Sequence, residues 1–256
     1  MGGKENFVPD FEDLLPKSTD GLKWKRILAV GDIHGHFKKL MSLYEKLNVT
    51  DDDLVIFLGD YVDRGPQVSD VLQWIMKLQD KENFVFLRGN HEDMMLSFIY
   101  GEDEWWKYSY GQVTIPGVKQ WFKSKPEDYE KFVHFITHLP LYHEITIGGR
   151  QYVFCHAGIK SGVPIEDQTE DYLLWSRHEF FDAYDGDAVV IVGHTPLQTL
   201  QEHFKLKKFI PFRVPNRNIL MMDTGSFIDQ VHYGFSEEGL ISCVDILTGE
   251  FWQNRD

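Results

Sequence analysis

The sequence predicts a mixed α/β (α+β) domain, and three observations carry that prediction. Six apolar runs of strand length recur along the chain, each breaking off into glycine and a polar side chain. Helical periodicity fills the spaces between the first three runs. From Leu141 onward strand-like runs dominate. Strand–helix alternation of this kind implies a parallel or mixed sheet with helices on its faces.

The elements follow in order. Residues 1–24 read as an irregular N-terminal arm, and 25–256 as a single domain without repeat, linker or low-complexity tract. Ile27–Val30 runs into Gly31-Asp32, Leu54–Leu58 into Gly59-Asp60, and Phe84–Leu87 into Arg88-Gly89-Asn90. Between them, Leu40, Leu43, Tyr44 and Leu47 recur at helix spacing, as do Val71, Leu72, Ile75 and Leu78. Met94–Tyr100 and Tyr129–His138 continue as helices. Tyr152–Cys155 then runs into His156, Val189–Val192 into Gly193-His194, and Ile219–Met222 into Asp223-Thr224-Gly225. A hairpin is expected to turn at Gly148-Gly149, and a further strand pair near Leu240–Val244 and Glu250–Trp252.

The 256 residues carry 26 basic and 40 acidic side chains, a formal net charge of −14. That balance argues against a nucleic-acid partner, which needs a basic footprint, and against a membrane-surface role. A phosphate-bearing substrate would have to meet local positive charge from metals or arginines. Two isolated cysteines, Cys155 and Cys243, make neither a CxxC pair nor a disulfide framework, and are expected to be reduced thiols. No apolar run approaches the roughly 18–20 residues of a membrane helix, and Met1–Asp20 is too polar for a secretory signal. The expected location is the cytoplasm.

The chemistry lies where the strands end. In such sheets ligands bind beyond the carboxyl ends of the strands. The loops there read Gly31-Asp32-Ile33-His34-Gly35, then Gly59-Asp60-Tyr61-Val62-Asp63-Arg64-Gly65, then Arg88-Gly89-Asn90-His91-Glu92, then Cys155-His156-Ala157-Gly158, then Gly193-His194-Thr195. Each has an ordinary reading on its own: a chance DxH triplet, a surface Asp–Arg pair, a helix cap at Asn90, a structural histidine. Five together, each offering a metal-type donor, do not. Oxygen and imidazole without thiolate suit manganese, iron or zinc. Asp223 also ends a strand and is read as supporting rather than ligating. His36, His134, His138, His143, His178, His203 and His232 lack such contexts and are read as ordinary.

At these residues the sequence resembles the calcineurin-like metallophosphoesterases, and within them the phosphoprotein (serine/threonine) phosphatases. GDIHG (31–35), GDYVDRG (59–65), RGNHE (88–92), CHAG (155–158) and GHT (193–195) carry the resemblance, and CHAG with Leu174-Trp175-Ser176-Arg177 looks like the bacterial and phage branch. The resemblance implies a metallo-dependent phosphatase fold, a central β-sandwich of mixed sheets flanked by helices. It implies a centre of two divalent metals, manganese foremost, with iron or zinc as alternatives. Asp32 and His34 would hold the first metal, Asp60 would bridge, and Asn90, His156 and His194 would hold the second. His91 would be the general acid, oriented by Asp63, against attack by a metal-bridging hydroxide. Arg64 and Arg177 would clamp the phosphate.

The first functional reading is a phosphomonoesterase of the protein serine/threonine phosphatase type. The alternative is a symmetrical diadenosine tetraphosphate hydrolase, for which a base-stacking aromatic among Trp105, Trp106 or Tyr108 would be the mark. A non-catalytic binding module on the same fold is the distant third, and it predicts missing ligands, of which none is missing. The expected partner is therefore a phosphoprotein or a phosphorylated small molecule or dinucleotide.

Overall fold

In the computed structural model, which describes residues 7–235 and 237–255, the apolar runs pair into two five-stranded sheets. In chain order the strands are β1 (Arg26–Val30), β2 (Asp53–Phe57), β3 (Phe84–Phe86), β4 (Tyr142–Ile147), β5 (Arg150–Cys155), β6 (Val189–Val192), β7 (Phe212–Arg213), β8 (Ile219–Met221), β9 (Ser242–Asp245) and β10 (Phe251–Gln253). One sheet has the order β10-β9-β1-β2-β3, the other β4-β5-β6-β8-β7. β1, β2 and β3 are parallel, as are β5, β6 and β8, while β9, β10, β4 and β7 add antiparallel edges. Both sheets are thus mixed, as expected. β4 and β5 turn at Gly148-Gly149, whose φ values of 56° and 79° a side chain would resist.

Alternation along each strand explains the sandwich. Ile27, Ala29, Leu54 and Ile56 of the first sheet meet Tyr152, Phe154, Val189 and Ile191 of the second in one core. Their neighbours Leu28, Val30, Val55 and Phe57 face outward onto helices, and Val153, Cys155, Val190 and Val192 do the same on the far side. With both faces covered, a strand reads as a continuous apolar run rather than an alternation. All four residues of β6 are buried, each contributing roughly 1.5–3 kcal/mol of transfer free energy.

The helices are α1 (Phe37–Leu47), α2 (Val68–Leu78), α3 (Asn90–Ile99), α4 (Trp105–Tyr108), α5 (Gly111–Ser124), α6 (Asp128–Thr137), α7 (Glu170–Trp175), α8 (His178–Phe181), α9 (Gln201–Phe204) and α10 (Gln230–Tyr233). α1 and α2 bury the stripes their periodicity marks. α3 begins at Asn90, four residues before the expected Met94, so Asn90 is not the cap; Gly89 is. α5 is absent from the sequence reading. Its first half, Gly111 to Gly117, contains three β-branched residues, a proline and two glycines, a poor helix former in isolation, and it forms here against α2 and α4.

Residues 7–24 hold only a short 3-10 turn of regular structure, at Glu12–Leu14, yet Val8, Phe11 and Leu14 are fully buried in the inter-sheet core. Tyr152 donates its hydroxyl to the Leu14 carbonyl at 2.7 Å. The first six residues of the expected arm lie outside the described residues. Cys155 and Cys243 are buried and unpaired. Among the described residues no helix is long and apolar enough to cross a membrane.

Candidate metal centre

The loops after β1, β2, β3, β5, β6 and β8 converge. Asp60 lies at the middle: its Oδ2 is 3.4 Å from His34 Nε2 and its Oδ1 is 3.3 Å from His156 Nε2. Asn90 Oδ1 lies 2.9 Å from His156 Nε2 and 3.0 Å from His194 Nδ1. Asp32 is buried beside them and accepts from the His194 amide. Two groups of donors, His34–Asp60–His91 and Asp60–His156–His194, each fall within 4.8 Å of one another and share Asp60. All six expected ligands are therefore brought together, although Asp32 falls outside both tight groups.

The backbone is bent to do this. Nine described non-glycine residues have positive φ, and five of them are His34, Asp60, Asp63, Arg64 and His194. Such conformations cost on the order of 1 kcal/mol or more each and gather where function requires them. The glycines beside them permit the approach: a Cβ on Gly89 would collide with the Asp60 carboxylate, and one on Gly193 with that of Asp32.

Glu92, to which the motif assigns no role, fastens the loop after β2. Its carboxylate accepts from the amides of Asp60, Tyr61, Val62 and Gly89 at 2.8–3.1 Å. The bond from Gly89 is the capping-box bond of α3. Burial raises the Glu92 carboxyl to about 7, against the pull of those four amides. The cue was legible: a glutamate three residues beyond a helix cap.

His91 lies at the start of α3, with Nδ1 2.6 Å from Asp63 Oδ2. Asp63 in turn accepts from Trp106 Nε1 at 2.7 Å and from Thr114 Oγ1 at 2.5 Å. Burial, then Arg64 and Arg177, push the free His91 imidazole down to about 3. The Asp63 contact pulls the other way, and an anion between the two arginines would remove their part of the depression. The sequence offers Trp106 as a candidate base-stacking aromatic and gives Thr114 no role; only the tertiary fold brings the two to Asp63.

Arg64 is held between two rings, its Cζ 4.3 Å from the Tyr110 centroid and 4.5 Å from that of Phe227. Arg177 Nη1 donates to Thr195 Oγ1 at 2.9 Å. Both guanidiniums line a cavity of about 160 Å³ together with His91, Asn90 and His194. Trp105, Tyr110, Trp175 and Phe227 give it aromatic lining. Of the three aromatics singled out in the sequence, Trp106 is buried on Asp63, Tyr108 is absent from the lining, and Trp105 is on it, 54% exposed.

The donors fit a pair of cations. His194 Nε2 is buried without a partner, an unusual cost for a native interior. Asp32 and Asp60 are fully buried carboxyls whose protonation burial and neighbouring acids favour, and bound cations would offset the charge they cannot otherwise ionise against. Asp223 accepts from the Gly225 amide at Oδ1 and leaves its buried Oδ2 unpartnered, while its charge adds to the rise of the Asp32 carboxyl, consistent with a supporting position behind the first ligand.

A family model described as calcineurin-like phosphoesterase matches residues 25–221. A bis(5'-nucleosyl)-tetraphosphatase (asymmetrical) from Anoxybacillus flavithermus is 28% identical over 66% of this chain and 78% of its own. A PP1-delta serine/threonine-protein phosphatase from Caenorhabditis elegans is 42% identical, over only 29% of this chain and 25% of its own. Among solved structures, one provisionally assigned as a diadenosine tetraphosphatase superposes with a TM-score of 0.62 at 20% identity, covering 93% of this chain and 95% of that one. A Saccharomyces cerevisiae serine/threonine phosphatase gives 0.54 at 19% identity, covering 89% and 75%. At those identities the likeness is one of fold. With the family model spanning most of its length and a cluster of metal-type donors where its strands end, the chain belongs to the calcineurin-like phosphoesterases and is a metallophosphoesterase.

Proposed function

We propose that the chain hydrolyses bis(5'-nucleosyl) tetraphosphates. The observation that carries this reading is the exposed Trp105, which lines the same small cavity as Arg64 and Arg177. A flat indole beside two phosphate clamps suits a substrate with a base at one end and anhydride-linked phosphates at the other. The relatives of bis(5'-nucleosyl)-tetraphosphatase name support it, and they outrank in coverage the protein phosphatase match. Those relatives carry the asymmetrical designation, so the symmetrical cleavage expected from the motifs gives way to a mono- and a triphosphate as products.

In this reading Asp32, His34 and Asp60 hold one cation, and Asp60, Asn90, His156 and His194 the other. When bound, the cations, manganese foremost, supply Lewis acidity at the phosphoryl group and activate water near neutral pH. Arg64 and Arg177 grip the phosphoryl oxygens; the rings of Tyr110 and Phe227 keep Arg64 from swinging away. Asp63 accepts from His91 Nδ1–H and so favours the imidazolium, whose Nε2–H is then free to deliver its proton to the departing oxygen, leaving the neutral Nδ1–H tautomer. Trp106 and Thr114 hold Asp63 in turn. No covalent phospho-enzyme is required.

A protein serine/threonine phosphatase is the second reading, favoured by the 42% identity to PP1-delta over 77 residues. Manganese-reconstituted protein should be offered diadenosine tetraphosphate and a phosphoserine peptide at matched concentrations. Fast dinucleotide cleavage, with an alanine at Trp105 raising KM several-fold, is the expected result. Fast peptide turnover with slow dinucleotide cleavage would replace the first reading by the second.

A further inference from the structure

Outside the buried centre, a second group of donors meets on the surface. His178 Nδ1 lies 3.1 Å from Asp182 Oδ2, and His203 Nε2 lies 2.9 Å from Asp182 Oδ1. All three donor atoms fall within 4.8 Å of one another. His178 and Asp182 are four apart across α8, and His203 comes from α9, so the meeting is tertiary.

The imidazoles are oriented by packing as well as by hydrogen bonding. The His178 ring lies 4.7 Å from Phe181, and the His203 ring 4.5 Å from Phe204. Arg217 donates to the Asp182 carbonyl at 2.7 Å, anchoring the backbone between them. Held rotamers of this kind lower the ordering cost of binding an ion.

We propose that His178, Asp182 and His203 form a surface site for a zinc-type divalent transition metal, separate from the phosphoesterase centre. Tetrahedral zinc with bonds of about 2.0–2.1 Å needs donors roughly 3.3 Å apart; each imidazole nitrogen lies near that distance from one oxygen of the Asp182 carboxylate, His178 Nδ1 at 3.1 Å from Oδ2 and His203 Nε2 at 2.9 Å from Oδ1. Two imidazoles and one carboxylate suit zinc among common cations. All three side chains are exposed, so solvent completes the fourth position.

The place of the site gives it a consequence. His178 directly follows Arg177, and α9 follows the loop of His194 and Thr195 through a short 3-10 turn, Leu197–Leu200. Arg177 already reaches Thr195 at the cavity end of these two segments. A metal at the surface end fastens them a second time, so zinc stabilises the arrangement of Arg177 against the His194 loop.

Manganese-loaded enzyme should be equilibrated with micromolar zinc chloride, freed of excess, and measured for zinc content and Tm, beside His203→Ala and His178→Ala. These are exposed positions, and the variants are expected to fold and keep their manganese. The expected result is one more zinc per chain in the wild type than in either variant, and a zinc-dependent rise in Tm that both variants lack. Crystals soaked in zinc should show anomalous density between His178 Nδ1 and His203 Nε2. Equal zinc content in all three proteins, or zinc found only at the Asp60 centre, would overturn the proposal and leave the trio as a pair of imidazole–carboxylate hydrogen bonds.

Discussion

Nδ1 of His91 lies 2.6 Å from Oδ2 of Asp63, and that same carboxylate is held by Trp106 and Thr114. Three residues from three segments thus set the direction in which one imidazole presents its other nitrogen. An alanine at His91 should lower kcat about 10²–10⁴-fold on a phosphoserine peptide, whose alkoxide leaves only with a proton. On p-nitrophenyl phosphate, whose leaving group needs little protonation, the loss should be much smaller. Equal losses on the two substrates would remove His91 from the role of acid. Trp106→Phe, which keeps the bulk and deletes one of the bonds to Asp63, should lower kcat several-fold on the alkyl ester with KM unchanged.

Asp60 offers an oxygen to donors on both sides of it, to His34 and to His156. Asp60→Asn removes the charge that would hold two cations close together. The variant should lose metal and activity together, with metal content measured by elemental analysis after reconstitution in manganese. His91→Ala, in contrast, should keep its metal. A fully metallated but inactive Asp60→Asn would show that the carboxylate acts on the reaction and not on the ions.

Much of this site was readable because its ligands are local to strand ends. Asp32 and His34, Asp60 to Arg64, Asn90 and His91 each sit within a few residues of an apolar run, and a strand's length fixes where it ends. The sandwich itself was not visible in the periodicity, since strands buried on both faces show apolar runs with no clue to which face meets which layer; the motif resemblance supplied it. The contacts that Trp106, Tyr110, Thr114 and Phe227 make at the site are not legible, for a different reason, although the aromatic segment 97–116 holding Trp106 and Tyr110 is a candidate cap beside the site. Each reaches the site through packing of a remote segment, α4, α5 or the loop before α10, and a tryptophan on a helix looks the same in sequence whether it supports Asp63, as Trp106 does, or lines the cavity, as Trp105 does. His178 and His203 were read as ordinary for the same reason: their shared partner Asp182 is close in sequence to one and 21 residues from the other.

The stability of the frame has its own test at the start of β2. Asp53 is buried, and accepts from Arg26 Nε and Nη2 at 2.9 and 2.6 Å and from the Thr50 amide and hydroxyl at 2.7 and 2.9 Å. Burial opposes its ionisation, yet the bonds from Arg26 and Thr50 prevail and hold its carboxyl below the usual range. The folded protein therefore binds this proton less readily than the unfolded chain does. Stability from Asp53 is present above the unfolded value of about 3.9 and is lost as pH falls through the lower folded value. Asp53→Asn leaves the Arg26 guanidinium without its counter-charge and should cost about 3 kcal/mol at neutral pH. In urea denaturation curves the gap between wild type and variant should stay constant from pH 7 down to about 5, then narrow as the wild-type carboxylate is protonated. A gap that persisted undiminished to pH 3 would mean that Asp53 stabilises β1 against β2 through its shape and neutral hydrogen bonds, and not through its charge.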